Sequence, residues 1–501
     1  MTSIPADTSA LTSLSIADAR RQLDARHVSS RELTEAHIAR IDALDGDVLA
    51  YLHRMFDISL QMADAADASL AQGPGRELTG IPVALKDIFC TVDAPTTAAS
   101  KILAGYMSPY DGTVVRLLRE QQAVLLGKTN TDEFAMGSST ENSAFQTTHN
   151  PWDLERVPGG SSGGSSASVA AGMAMMALGS DTGGSIRQPA GFCGVVGLKP
   201  TYGRISRYGL MAFASSLDQI GPFTRSVEDC AMVLQAIAGH DPRDSTSAPV
   251  AVPDYRAALT GDLRGLRVGV VREFTDVEGM EPGVRAACEQ AYDMYAELGA
   301  ELVTVELPYS QYALPTYYIT APAEASANLS RYDGVKFGLS VDAGSVLESY
   351  LATRGEGFGP EVKRRIMLGT YALASGYYDA YYIKAQKVRT LIKRDFDRAF
   401  ADVDVILAPT SPTVAFRIGE RTDDPLQMYL SDIFTIPANM AGLPGIAIPC
   451  GFSEGLPVSM QVIGPAFGEA AVLRAAHAYE QATRWSVTPG VTGVTDKVQA
   501  G

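Results

Sequence analysis

VPGGSSGGSSASVAAGMAMMALGSDTGGSIRQPAGFCGVVGLKP, residues 157–200, decides how this 501-residue chain is read. Residues 157–203 hold 12 of the chain's 47 glycines, interleaved with serines. Such a composition fits a flexible linker when it stands alone. Here it alternates with VAAGMAMMALG (169–179) and FCGVVGLKP (192–200), apolar runs that demand burial. Glycine and serine inside a core point to backbone packed closely against a site. In MALGSDTGGSIRQPAG, residues 176–191, an apolar strand runs through Gly183-Gly184 into Ser185 and a short helix. Pro189 is tolerated only within the first turn of that helix.

Working outward, GIPVALKDIF (80–89) and AVLLGKTN (123–130) read as buried strands, and so do LRGLRVGVV (263–271), DVDVILAPTSP (402–412) and LPGIAIPCG (443–451). Between them lie helical stretches. Ser15-x-x-Asp18 and Ser29-x-x-Glu32 are capping-box patterns. Leu33, His37, Ile41 and Leu44 then recur at helical spacing, which gives His37 a packing role. A charged helical region follows the 263–271 strand to about Arg398, and residues 468–483 form a last helix. Strands separated by helices predict an α/β fold.

Composition removes several classes of function. Lys and Arg number 41 against 57 Asp and Glu, a net charge of −16, which argues against a chain that grips nucleic acid by itself. No stretch reaches 18 consecutive apolar residues, so no membrane span is expected. MTSIPADTSA has no basic and apolar leader, so no signal peptide is expected and the protein reads as cytoplasmic. Cys90, Cys193, Cys230, Cys288 and Cys450 are odd in number and widely spaced, without a CxxC pair, so neither a disulfide framework nor a metal site is expected.

Two motif matches fail on context. Gly127-Lys128-Thr129 lacks the glycine a phosphate loop needs, because Gln122 stands in its place. Gly159-Gly160-Ser161-Ser162-Gly163 has the GxSxG form of a nucleophile elbow, but the residues before it, NPWDLERVP, are not a buried strand. Ser185 is the better nucleophile: the glycines before it free backbone N–H groups to face a carbonyl oxygen, and a helix start adds its positive end. None of the six histidines sits beside a Ser-rich motif to act as its base. Lys86, at the end of an apolar run, is the remaining candidate, because burial lowers a lysine's pKa. Moving it from about 10.4 to about 7.5 costs roughly 4 kcal/mol. Taken alone, Lys86 reads as a strand-end lysine paired with an aspartate; only the combination with the Ser185 motif lifts the catalytic reading.

The order of Lys86, GGSSGG (159–164) and DTGGSIRQPA (181–190), with 75 residues from Lys86 to Ser161 and 24 from Ser161 to Ser185, resembles the amidase-signature family. That resemblance implies a single large α/β/α sandwich around a central mixed β-sheet. The expected division is an N-terminal helical segment over 1–75 packed on a catalytic domain over 76–490, with a tail over 491–501. It implies Ser185 as nucleophile, Ser161 as the middle serine after a cis peptide, Lys86 as terminal base and Ser162 in support. Backbone N–H groups of Thr182, Gly183 and Gly184, with that of Ser185, would form the oxyanion hole. Asp181 and Arg187 read as a structural ion pair beside Ser185.

TNTDEFAMGSSTENSAF (129–145), KPTYGRISRYGLMAFASSLDQIGP (199–222), EVKRRIMLGTYALASGYYDAYYIKAQKVR (361–389) and DDPLQMYLSDIFTIPANMAGLPG (423–445) are similar to one branch of that family, the A-type subunits of the tRNA-dependent amidotransferases. The implied activity is glutamine hydrolysis through an acyl-Ser185 intermediate. The ammonia would pass to a partner in a heterotrimer with subunits B and C. Misacylated tRNA would be contacted mainly through the B-type partner, and ATP and Mg would be used there, so this chain would need no cofactor of its own. Arg365 would hold the α-carboxylate of glutamine and Asp432 its α-ammonium, with Tyr317 nearby. Read alone, Arg365 in EVKRR is a solvated helix face. The other reading of the same triad is a free-standing amidase acting on a small or aryl amide.

Overall fold

The computed structural model describes residues 8–275 and 277–485. Among them, eleven strands form one sheet: β1 (Tyr51–Arg54), β2 (Pro82–Lys86), β3 (Val124–Thr129), β4 (Met176–Asp181), β5 (Val196–Lys199), β6 (Gln219–Thr224), β7 (Arg267–Val271), β8 (Glu301–Val305), β9 (Val405–Pro409), β10 (Gly445–Ser453) and β11 (Leu456–Ile463). Their spatial order is β1-β3-β2-β4-β6-β5-β10-β11-β9-β7-β8. The sheet is mixed. β2 runs parallel to both β3 and β4, while β6 returns antiparallel to β4 and β10 pairs antiparallel with β5 and β11. Every residue of β2, β3 and β4 is buried, as strands covered on both faces must be, which explains their continuous apolar texture.

The expected strands are present at 82–86, 124–129, 176–181, 267–271, 405–409 and 445–453, and the last helix is Glu469–Thr483. Within the region expected to be helical, Glu301–Val305 is instead a strand. It lies at the sheet edge with mostly exposed side chains, so it lacks the apolar run that marks its neighbours. At the N-terminal end, Ser29 and Glu32 close a full capping box on the helix Ser30–Val48. His37 is buried on that helix with Nδ1 3.0 Å from the Gly172 carbonyl, and burial lowers its pKa to about 3, as suits a packed neutral ring. The expected tail over 491–501 lies outside the described residues, as do residues 486–490.

Parallel strands side by side carry their C-terminal ends to one edge of the sheet, where α/β folds bind ligands. Here β3, β2 and β4 end together: β2 on Lys86, β3 just before Asn130–Asp132, and β4 on Asp181, which leads into Thr182–Ser185.

Candidate active site

Lys86 closes β2 and is fully buried. Its Nζ donates to Ser161 Oγ at 2.7 Å, Ser162 Oγ at 2.9 Å and Ser180 Oγ at 3.0 Å. An amine among three hydroxyls has good partners and no counter-ion in direct contact. Burial therefore dominates and brings its pKa from 10.5 to about 7, with Asp132, Asp181 and Asp218 pulling the other way. The strand-end ion pair, the alternative reading of Lys86, is not formed.

Gly160 and Ser161 are joined by a cis peptide, and Gly160 N–H donates to Gln188 Oε1 at 3.0 Å. No side chain fits at residue 160, since a Cβ there would lie 2.6 Å from Ser139 N and 2.8 Å from Thr140 N. Those residues are drawn in by Asp132, whose carboxylate accepts the N–H of Thr140 at 2.9 Å and of Asn142 at 3.1 Å. Gly179 has a matching role on β4: a Cβ there would lie 2.8 Å from Ser162 Oγ, so its absence lets Ser162 reach Lys86. Gly160 and Gly179 thus mark close approach of backbone and side chain at the site.

Ser185 lies between the 182–184 loop and the helix Arg187–Cys193, with 8% of its surface exposed. Its carbonyl accepts the N–H of Ser162 at 3.3 Å, which brings the two serine segments together. No hydrogen bond joins Ser161 Oγ to Ser185 Oγ. Catalytic hydrogen bonds are often loose before substrate binds. Among the described residues, the N–H groups of Thr182, Gly183, Gly184 and Ser185 donate to no protein acceptor. Thr435 Oγ1 donates to the Gly183 carbonyl at 2.7 Å. Because the peptide is planar and trans, fixing that carbonyl fixes the opposed N–H of Gly184. Asp181 and Arg187 form the expected buried ion pair, Nε to Oδ2 at 3.1 Å, and Asn439 Nδ2 donates to the same carboxylate at 2.8 Å.

Tyr317 is buried on the helix Ala313–Asn328, and a Cβ at Gly183 would meet its ring at 2.8 Å. Asp432 is 7% exposed and stands over the next residue, its Oδ1 2.8 Å from where a Gly184 Cβ would be. Asp432 Oδ2 accepts from Ser138 Oγ at 2.5 Å, while Oδ1 is buried without a partner. Burial raises its pKa to about 7, and the Ser138 hydroxyl opposes that rise. Arg365 corrects the sequence reading taken on its own: it is 2% exposed. Its guanidinium lies between the rings of Phe213, Tyr318 and Tyr429, at 5.5, 5.3 and 5.4 Å from their centroids, with Nε on Glu361 at 2.8 Å. The EVKRR context hid this, because the aromatic partners come from distant segments. Its two terminal nitrogens have no protein acceptor among the described residues and remain able to hold an anion.

Residues that sequence reasoning missed complete the site. Ser180 is a third acceptor for Lys86, Ser138 holds Asp432, Thr435 holds Gly183, and Asp132 folds the 138–142 loop onto Gly160. Ser180 was visible as the residue before Asp181 on the strand beside β2. The others come from loops that only the fold brings near. Among the described residues, no group of three or more His, Cys, Asp and Glu side chains is placed to hold a metal ion, and no helix is long and apolar enough to cross a membrane.

The sequence matches the amidase family over residues 32–473. It is 63% identical over 464 residues to the A-type subunit of the glutamyl-tRNA(Gln) amidotransferase of Moorella thermoacetica, covering 92% of this chain and 95% of that one. The same protein of Caldanaerobacter subterraneus is 57% identical over 484 residues, 96% and 99% of the two chains. Among solved structures, the corresponding glutamyl-tRNA(Gln) amidotransferase protein of Thermotoga maritima superposes with a TM-score of 0.80 at 44% identity, covering 96% of this chain and 98% of that chain. The peptide amidase of Stenotrophomonas maltophilia gives 0.81 at 33% identity, covering 95% and 98%. With the family match spanning most of its length and relatives up to 63% identical along nearly all of it, this chain belongs to the amidase family.

Proposed function

We propose that this chain is the glutaminase subunit of a tRNA-dependent amidotransferase, working with two further subunits, B and C, in a heterotrimer. Neutral Lys86 takes a proton from Ser161, which takes one from Ser185 as its Oγ attacks the side-chain amide carbon of glutamine. The tetrahedral oxyanion is met by the N–H groups of Thr182, Gly183, Gly184 and Ser185. Collapse returns the proton to the departing nitrogen and leaves ammonia and a glutamyl ester on Ser185. Water then attacks that ester with the relay run again, giving glutamate and free Ser185. Ser162 helps hold the Lys86 amine.

The observation that carries the reading is the pair formed by Asp432 and Arg365 around the glycine loop. A simple amide offers nothing to a buried carboxylate with one unpartnered oxygen, Asp432 Oδ1, or to a guanidinium with free terminal nitrogens. Glutamine has an α-ammonium for the first and an α-carboxylate for the second, and Tyr317 closes the side between them. The names of the relatives point the same way. The net charge of −16 fits a chain that leaves tRNA, ATP and Mg to its B-type partner. A protein working beside tRNA in this way is expected in the cytoplasm.

Ammonia release from glutamine tests the reading, measured first with this chain alone and then with subunits B and C, ATP and misacylated tRNA. Strong stimulation by the full set is expected. Robust cleavage of small or aryl amides by the chain alone, without glutamine turnover, would replace the proposal with a free-standing amidase.

A further inference from the structure

The antiparallel register of β4 with β6 pairs Asp181 with Gln219, and so carries Asp218 alongside Thr182 as the strands leave the sheet. Asp218 is buried and gathers three donors: Thr182 Oγ1 to Oδ1 at 2.8 Å, Phe213 N–H to Oδ2 at 2.9 Å, and Ala214 N–H to both oxygens at 3.1 Å. Thr182 begins the oxyanion loop. Phe213 lies under the Arg365 guanidinium, 5.5 Å from it. One carboxylate thus ties the part of the site that meets the reacting carbonyl to the part that meets the far end of the substrate.

Resting on the glutaminase reading above, we propose that Asp218 is a positioning residue that sets the oxyanion loop and the Arg365 anion grip at a fixed separation. That separation is a ruler for substrate length between the scissile amide and an anionic group. Two acceptor oxygens are needed, because one set of donors comes from the loop and the other from the 213–214 backbone. An asparagine has nearly the same shape but only one acceptor oxygen, and its NH2 end would face N–H donors.

The test uses the full chain assembled with its partner subunits, and compares glutamine with 4-aminobutanamide, which lacks the α-carboxylate. Asp218→Asn is expected to lower kcat about tenfold or more on both amides, and to raise KM several-fold on glutamine alone. Thr182→Val cuts only the loop side of the clasp and should lower kcat with KM unchanged, while Thr182→Ser, which keeps the hydroxyl, should restore it. Should Asp218→Asn fail to fold, the Thr182→Val and Thr182→Ser pair decides. Wild-type kcat and KM in a folded Asp218→Asn protein would overturn the proposal, as would an equal KM rise on both amides or a Thr182→Val enzyme with full kcat. Failure of the glutaminase reading looks different: the wild-type complex would cleave simple amides and leave glutamine untouched. The Thr182 pair would still judge the clasp on those amides.

Discussion

Lys86 Nζ and Ser161 Oγ lie 2.7 Å apart, with no charged group in direct contact with the amine. A lysine so placed can accept a proton near neutral pH, which an arginine cannot. Lys86→Arg should therefore lower glutamine hydrolysis by about 10³-fold or more, in the range of a lost general base. Retention of even a tenth of wild-type turnover would exclude Lys86 as the base.

Burial of Lys86 also has a stability signature with a definite sign. Its folded pKa, about 7, lies below the ordinary 10.5, so between those values the unfolded chain binds one more proton than the folded one. Stability from this group therefore rises with pH across that window and is constant outside it. Lys86→Met removes the effect. Thermal midpoints of both proteins should be measured from about pH 7 to about pH 10, the span between a lowered and an ordinary lysine. The mutant's advantage, whatever its size at pH 7, should shrink steadily as pH rises. A difference independent of pH would mean that Lys86 stays charged in the fold.

The proposed chemistry needs two groups in the right state, Lys86 neutral and Asp432 ionised, each with a pKa of about 7. Both conditions fail as pH falls, so log kcat/KM should rise with a slope approaching about two below neutrality. A bound α-ammonium keeps Asp432 ionised, so kcat should show a slope of about one. Glutaramic acid, which lacks the α-ammonium, has no need of an ionised Asp432. Asp432→Asn should raise KM for glutamine by about 10- to 100-fold, the loss of a charged hydrogen bond, and change KM for glutaramic acid little. Equal effects on the two substrates would remove Asp432 from ammonium recognition.

Among the described residues, Ser185 Oγ makes no protein hydrogen bond, and the residue is 8% exposed. Ser185→Ala therefore deletes the proposed nucleophile without breaking a structural contact. Ammonia release should fall by about 10⁴-fold or more, while stability stays within about 0.5 kcal/mol and the partner subunits still assemble. A mutant with measurable burst release of ammonia would move the nucleophile elsewhere.

The sequence shows the proposed triad better than the walls of the site. Lys86 and Ser185 lie at the ends of buried apolar strands, where strand texture and a glycine-rich turn betray a local arrangement. Six strands were legible for the same reason. Arg365 was not legible without a family resemblance, since its burial is created by Phe213, Tyr318 and Tyr429, residues up to about 150 positions away with no periodic relation to it. β8 was lost in a helical region because it is a short, mostly exposed edge strand whose apolar residues are interrupted by Thr304, so no continuous apolar run marks it. Asp218, Ser138 and Thr435 are single polar residues in loops, and only the sheet order reveals what each one holds.

Gly179 gives a steric test of the site that does not touch any reacting group. A methyl at this position would lie 2.6 Å from the Phe223 ring and 2.8 Å from Ser162 Oγ, in a strand where neither neighbour has room to withdraw. Gly179→Ala should cost about 1–3 kcal/mol of stability through overpacking. It should also lower kcat, because Ser162 is pushed from the Lys86 amine it accepts from at 2.9 Å. Gly46 supplies the contrast, exposed in the helix Ser30–Val48 with nothing within 4 Å of a Cβ. Gly46→Ala should stabilise by about 0.5–1 kcal/mol through helix propensity and leave turnover unchanged. Thermal midpoints and glutamine turnover of the two variants, measured side by side, separate a crowded site from a general intolerance of the chain to added methyls. A Gly179→Ala enzyme as stable and as active as the wild type would show that Ser162 and β4 do not meet as closely as described.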